Sequence, residues 1–189
     1  MEGFQNIFIA ATLIVAMFMG CTFNAMNIIE EKENGVALVN QILPMTHSQY
    51  IIQKIFIGFV CGGLSAILTA CICFRLSIQS SLFMLVLIIL SAFAAALIGL
   101  FIGEFAENLM VGVVYIKVVL IIFIAVPLLS YLLGADGLAL IFCNLIPSNA
   151  TFDGIMSLAS DTEQIITKDI LILIAHCIVW FLLYLTIAN

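Results

Sequence analysis

Five long runs of apolar residues, separated by shorter polar segments, dominate the pattern along the chain. The runs cover residues 7–29, 55–74, 82–103, 109–133 and 170–187. An apolar stretch of about 20 residues is long enough to cross a bilayer as an α-helix. The runs are continuous, whereas the strands of a membrane β-barrel alternate apolar and polar residues. The pattern therefore predicts an all-α, polytopic membrane protein with five transmembrane helices.

Composition supports this fold class and narrows the function. Hydrophobic residues make up 65% of the chain and charged residues only 8%, against about 25% charged in a typical soluble domain. We therefore expect residues 1–189 to form a single transmembrane domain in contact with the lipid bilayer. The net charge is −6 without a basic stripe, which disfavours nucleic acid as a partner. The chain has no P-loop and no common hydrolase motif, so we expect a protein that is not itself an enzyme.

The six cysteines predict neither a disulfide framework nor a metal site. Five of them lie inside apolar runs, where cysteine usually packs as a small hydrophobic residue. We therefore expect no cofactor and no bound metal.

The segment 30–54, between the first and second runs, has the most organised polar pattern in the chain. Three glutamates end the first run, namely Glu30, Glu31 and Glu33. Val36, Val39 and Leu43 follow at helical spacing, which predicts a short amphipathic helix near the membrane surface. Pro44 disfavours helical geometry at the residue before it and would end this helix.

A helix of about eight residues has little stability alone, so it needs a surface to pack on. An anionic lipid surface attracts basic segments, whereas this segment begins with an acidic cluster. We therefore expect the segment 30–54 to meet a protein partner.

The segment 134–169, between the fourth and fifth runs, is the longest connection. Its stretch LALIFCNLIP, residues 138–147, is too short to span a bilayer and is typical of an interfacial or re-entrant element. The stretch SNATFDG, residues 148–154, is rich in turn-forming residues and predicts a turn.

Four polar residues stand out inside the runs: Asn24, Asn27, Lys117 and His176. Polar residues within a span are candidates for a translocation path. Interhelical hydrogen bonds explain the asparagines equally well, and for the histidine the pattern favours a neutral ring hydrogen-bonded to a neighbouring helix over a role in the path or in proton transfer. Lys117 could instead extend its ammonium group to the membrane boundary, or pair with Glu104 or Glu107. The pattern leaves these alternatives open.

Two runs also carry small residues at four-residue spacing, which allows helix backbones to approach closely. They are Gly58, Gly62, Ala66 and Ala70 in the second run, and Ser91, Ala95, Gly99 and Gly103 in the third. We expect the second and third spans to pack tightly, against each other or against another helix.

The segment 30–54 resembles the first cytoplasmic loop of ABC-2 type transporter permeases. That loop typically shows a glutamate pair before a glycine, then leucines, a proline and a lysine that opens the next helix. The matching residues here are Glu31, Glu33, Gly35, Pro44, Tyr50 and Lys54. The resemblance covers nearly the whole chain, because the later spans and the long connection follow in the family's order.

The resemblance implies a function and an assembly. The protein would be the permease subunit of an ATP-binding cassette exporter, with ATP hydrolysed by a separate cytoplasmic subunit. In the family, the loop contains the coupling helix, which docks on that ATPase subunit. The implied docking residues are Glu30, Glu31, Glu33, Gly35, Val39, Leu43 and Pro44. A second permease subunit, identical or related, would complete the transport path.

The same resemblance implies a location and an orientation. The protein would be a multi-pass protein of the bacterial plasma membrane, with its amino terminus outside and its carboxyl terminus inside. Residues 134–169 would form an extracellular loop with short helices before the last span. The family has six spans and five are visible, so we expect the family's first helix to be missing. The alternative function is a small accessory or immunity-type membrane protein that binds a partner without transport. The sequence does not select a substrate.

Overall fold

An apolar segment in a membrane satisfies its backbone hydrogen bonds by forming a helix. Helices make up most of the described part of this chain. The computed structural model of the protein describes residues 2–36, 47–73, 78–134, 137–159 and 163–187. Seven helices and no strands lie within these ranges. They are α1 (Glu2–Glu33), α2 (His47–Cys73), α3 (Ile78–Phe105), α4 (Leu109–Leu133), α5 (Leu138–Cys143), α6 (Pro147–Ala159) and α7 (Glu163–Ile187).

Five of these helices are long and apolar enough to cross a membrane. The candidate spans are Gly3–Glu33, Gln49–Cys73, Ser80–Phe105, Leu109–Leu133 and Ile166–Thr186. The predicted all-α membrane fold with five spanning helices is therefore confirmed.

The helices extend beyond the apolar runs that predict them. α1 continues through the glutamate cluster to Glu33, and α2 already begins at His47, so both ends of the segment 30–54 are helical. Glutamate and lysine are good helix formers, and polar residues just beyond a span do not have to interrupt its helix. Residues 37–46, which contain most of the predicted amphipathic helix, lie outside the described residues.

The helix α1 occupies a central position and packs against α2, α3, α4 and α6. Both small-residue stripes approach α1. A Cβ atom added to Gly62 of α2 would lie 2.7 Å from the carbonyl oxygen of Met17, and one added to Gly99 of α3 would lie 2.6 Å from that of Cys21. A Cβ at Gly20 of α1 would lie 2.3 Å from the carbonyl oxygen of Gly58. The helices therefore meet backbone to backbone, as the stripes predict, with α1 as the shared partner.

The predicted turn at residues 148–154 is wrong, because this stretch lies in α6. Ten of the thirteen residues of α6 are buried, and the helix packs against α1, α3, α4 and α7. Proline is well suited to the first helical position, which Pro147 occupies. The Thr151 hydroxyl donates to the Pro147 carbonyl oxygen at 3.0 Å, so its polar group is satisfied inside the helix. Burial and these internal bonds outweigh the local preference for a turn.

Candidate functional site

The carboxyl end of α1 carries four consecutive charged residues, and each of the last three contacts a different helix. Successive residues of an α-helix point about 100° apart, so three in a row face three directions. Glu31 faces α2, Lys32 faces the end of α3, and Glu33 faces the start of α4. We call these three residues and their partners the α1 junction.

Glu31 forms the most buried part of the α1 junction. Its Oε1 atom lies 2.5 Å from the Lys54 ammonium nitrogen, and the Tyr50 hydroxyl donates to its Oε2 at 3.1 Å. Lys54 also donates to Asn27 Oδ1 and lies 5.3 Å from the centre of the Tyr50 ring. Only 4% of Lys54 is exposed. A buried ammonium group needs such partners, because an unpaired charge away from water is costly.

Lys32 connects α1 to the carboxyl end of α3. Its ammonium group donates to the carbonyl oxygens of Gly103 at 2.9 Å and Glu104 at 2.6 Å. The Glu104 carboxylate lies 3.6 Å away. The last carbonyls of a helix have no partner within the helix and form the negative end of its dipole. Lys32 thus supplies both the missing donor and a favourable positive charge.

Glu33 makes the complementary contact at the amino end of α4. Its Oε1 atom accepts a hydrogen bond from the Leu109 backbone N–H at 2.7 Å. Beside it, Asn108 is the N-cap of α4, and its side-chain oxygen accepts from the Val111 N–H at 3.0 Å. Glu33 and Asn108 therefore each accept a hydrogen bond from a backbone N–H in the first turn of α4 that has no partner within the helix. The helix dipole also favours the negative charge of Glu33 at this end.

Gly35 ends this part of the chain with a backbone conformation that favours glycine. Its φ angle is +69°, and its N–H donates to the Lys32 carbonyl oxygen at 3.3 Å. A residue with a Cβ atom adopts this left-handed region at a cost, so glycine is common just after a helix. Gly35 sets the direction in which the chain leaves the α1 junction.

The structure brings together only part of the predicted docking set. Glu31, Glu33 and Gly35 lie at the α1 junction, and Glu30 is exposed beside them. Val39, Leu43 and Pro44 lie outside the described residues, so their docking role stays a prediction.

The sequence pattern does not single out Lys32 and Glu104 as site residues, and it places Lys54 only within the family motif. One signal does point to the Lys54 cluster. Asn27 and Glu31 are four residues apart, as are Tyr50 and Lys54, and this spacing puts each pair on one helix face.

Three of the four polar residues inside the spans have separate partners. Asn24 is fully buried, and its Nδ2 atom donates to the Ala96 carbonyl oxygen of α3 at 2.8 Å. Asn27 belongs to the α1 junction through Lys54. The ring nitrogens of His176 lie 2.9 Å from the Ile172 carbonyl oxygen and 3.1 Å from that of Leu145. Lys117 is exposed on α4.

Glu104 pairs with Lys32 and not with Lys117. No ion pair of Lys117 occurs among the described residues. Asn24 thus contacts a neighbouring helix, α3, whereas His176 contacts its own helix and the connection between α5 and α6.

The fold and the α1 junction define a multi-pass helical membrane protein whose spans are tied together at one end. The chain belongs to the ABC-2 transporter family, because the family model described as "ABC-2 family transporter protein" matches residues 1–186. The resemblance drawn from the segment 30–54 is thereby confirmed, and the protein is a permease-type component of membrane transport. No curated protein and no solved structure matches the chain at a significant level.

Proposed function

We propose that this protein is the membrane subunit of an ATP-binding cassette exporter, driven by a separate ATPase subunit that docks at the segment following α1. The observation that carries the proposal is the α1 junction, in which Glu31, Lys32 and Glu33 bind α2, α3 and α4. Membership of the ABC-2 transporter family supports it.

The mechanism follows from how the α1 junction is connected. Residues 37–46 link the end of α1 to the start of α2, so a force on this link acts on both helices. Because the end of α1 also holds α3 and α4 through charge-assisted hydrogen bonds, these helix ends would move together. Nucleotide-dependent movement of the docked subunit would thus tilt four of the five spans as one group and alternate access to the substrate.

The proposal includes an assembly and an orientation. A second permease subunit would supply the other wall of the transport path. The α1 junction would face the cytoplasm, so the amino terminus of the chain would lie outside and the carboxyl terminus inside. The substrate is open, because the described residues show no charge pattern that selects one along the centre of the spans.

Substitutions at the α1 junction should separate ATP hydrolysis from transport. Glu33→Lys would repel the positive end of α4, and Gly35→Pro cannot adopt a φ of +69° or donate to Lys32. Reversing the charge of Glu31 would repel Lys54 and should also weaken coupling. We expect transport per ATP hydrolysed to fall by about tenfold or more. The measurement is substrate efflux and phosphate release in proteoliposomes that contain the protein and its ATPase subunit.

A matched control is Glu107→Lys, since Glu107 is exposed near the same end of the bundle and makes none of the α1 junction contacts. Normal coupling in Glu33→Lys and Gly35→Pro would refute the coupling role. We also expect an ATPase without membrane spans to co-purify with the protein. If no ATPase does so, the accessory-protein function replaces the exporter.

A further inference from the structure

A cavity of about 440 Å³ lies at the end of the bundle opposite the α1 junction. It is lined by the start of α1, the end of α4, the residues around α5, and parts of α6 and α7. Two carboxylates, Asp153 and Asp169, share this cavity with Lys168, Asn144 and the Tyr131 ring. With two aspartates and one lysine, the lining of the cavity is acidic on balance.

One carboxylate oxygen of Asp169 is not satisfied by the described residues around it. Only 4% of this residue is exposed, and its Oδ2 atom is buried without a hydrogen-bond partner. A buried carboxylate oxygen without a partner is costly, because it has lost water and gained nothing in return. Such groups are uncommon in folded proteins and call for an explanation.

Lys168 lines the same cavity but only partly offsets the charge of the two aspartates. It is exposed, and it forms no ion pair within 4.0 Å with Asp153 or Asp169 among the described residues. Asp153 Oδ2 accepts a hydrogen bond from Asn149 Nδ2 at 3.2 Å. Burial raises the pKa of Asp153, and the charge of Lys168 offsets this only in part. The cavity therefore has two carboxylates and one lysine, and its negative charge is only partly offset.

We propose that this cavity binds a small organic cation with an ammonium or guanidinium group, which Asp169 and Asp153 hold by charge-assisted hydrogen bonds. The volume admits a molecule of several non-hydrogen atoms. The Tyr131 ring adds an aromatic surface, which attracts cations. A metal ion fits less well, because no group of three His, Cys, Asp or Glu residues comes together in the described ranges. The site does not depend on the proposed ATP-driven function, since it requires only the folded chain.

The test uses butane-1,4-diamine as the cationic probe and butane-1,4-diol as its uncharged equivalent of the same length. Binding to the purified full chain in detergent is measured by calorimetry. We expect the diamine to bind and the diol not to bind. Asp169→Asn should weaken diamine binding by about tenfold or more, because a charge-assisted bond becomes a neutral one. Lys168→Gln should tighten it by about threefold, because a nearby like charge is removed.

The opposite signs of these two effects exclude a general loss of structure as their cause, since a misfolded variant would not bind more tightly. Glu107→Gln, an exposed substitution at the other end of the bundle, should leave diamine binding unchanged. The proposal is overturned if the diamine does not bind, if the diol binds equally well, or if calcium binds and the diamine does not displace it. If Asp169→Asn does not fold, the Lys168→Gln result decides, and unchanged or weaker binding there rejects the site.

Discussion

Replacing Lys54 by methionine should lower the free energy of unfolding by about 3 kcal/mol, the range expected when one partner of a buried ion pair is removed. Methionine replaces the apolar stem of lysine with an unbranched apolar chain of nearly the same length and removes the ammonium group with its charge and donors. Glu31 then loses its ion pair, and Asn27 Oδ1 loses its donor. The measurement is unfolding of the purified protein in mixed micelles as the denaturing detergent is increased.

Two comparisons make the Lys54 result specific. Lys117→Met removes an exposed lysine from α4, and we expect a change within about 0.5 kcal/mol. The double variant Glu31→Gln with Lys54→Met removes both charges, so it should be more stable than Lys54→Met alone. A loss of stability for Lys117→Met as large as that for Lys54→Met would show that the α1 junction has no special role.

The five spans could be predicted from sequence because their cause is local. A continuous apolar run in lipid has to satisfy its backbone bonds within itself, so length and composition are sufficient to predict a helix. The small-residue stripes at Gly62 and Gly99 likewise predict close packing. Their common partner, α1, could not be predicted, since a stripe shows where a neighbour fits and not which neighbour it is.

The contacts of the α1 junction could be predicted only in part. Lys32 lies among glutamates in the sequence, and its partners on α3 are 71 and 72 residues away. Charge alone does not choose between such distant partners, so their pairing depends on how the helices pack. Glu31 and Glu33 were identified through the family motif and not through their contacts. Val39, Leu43 and Pro44 of the same segment lie outside the described residues, so their docking role stays a prediction.

The stretch 148–154 shows how tertiary structure can override local preference. Asn, Ser, Asp and Gly favour turns because their side chains or backbones suit irregular conformations. In α6 the Asn149 amide instead donates to Asn144 Oδ1 at 2.8 Å and to Asp153, four residues further on. Thr151 additionally shares a 2.7 Å hydrogen bond with Ser91 of α3. The Ser91 contact and the burial of α6 exist only once the bundle has formed, so the sequence alone favours the wrong structure here.

Adding one methyl group at Gly62 should have a large effect on stability, while the same change at the next residue should not. Gly62→Ala places a Cβ atom 2.7 Å from the Met17 carbonyl oxygen and 3.1 Å from the Cα atom of Gly20. All of these atoms are backbone, so relief requires α1 and α2 to move apart. We expect a loss of about 2 kcal/mol in the free energy of unfolding, as for other overpacked sites.

Gly63→Ala is the matched control, because a Cβ atom there meets nothing within 4 Å in the described structure. Alanine has a higher helix propensity than glycine, so this variant should be more stable by up to about 1 kcal/mol. The two substitutions have the same chemistry and adjacent positions in α2, yet their effects should have opposite signs. If Gly62→Ala were as stable as Gly63→Ala, the backbone contact between α1 and α2 would be absent, and α1 could not transmit movement to α2 through it.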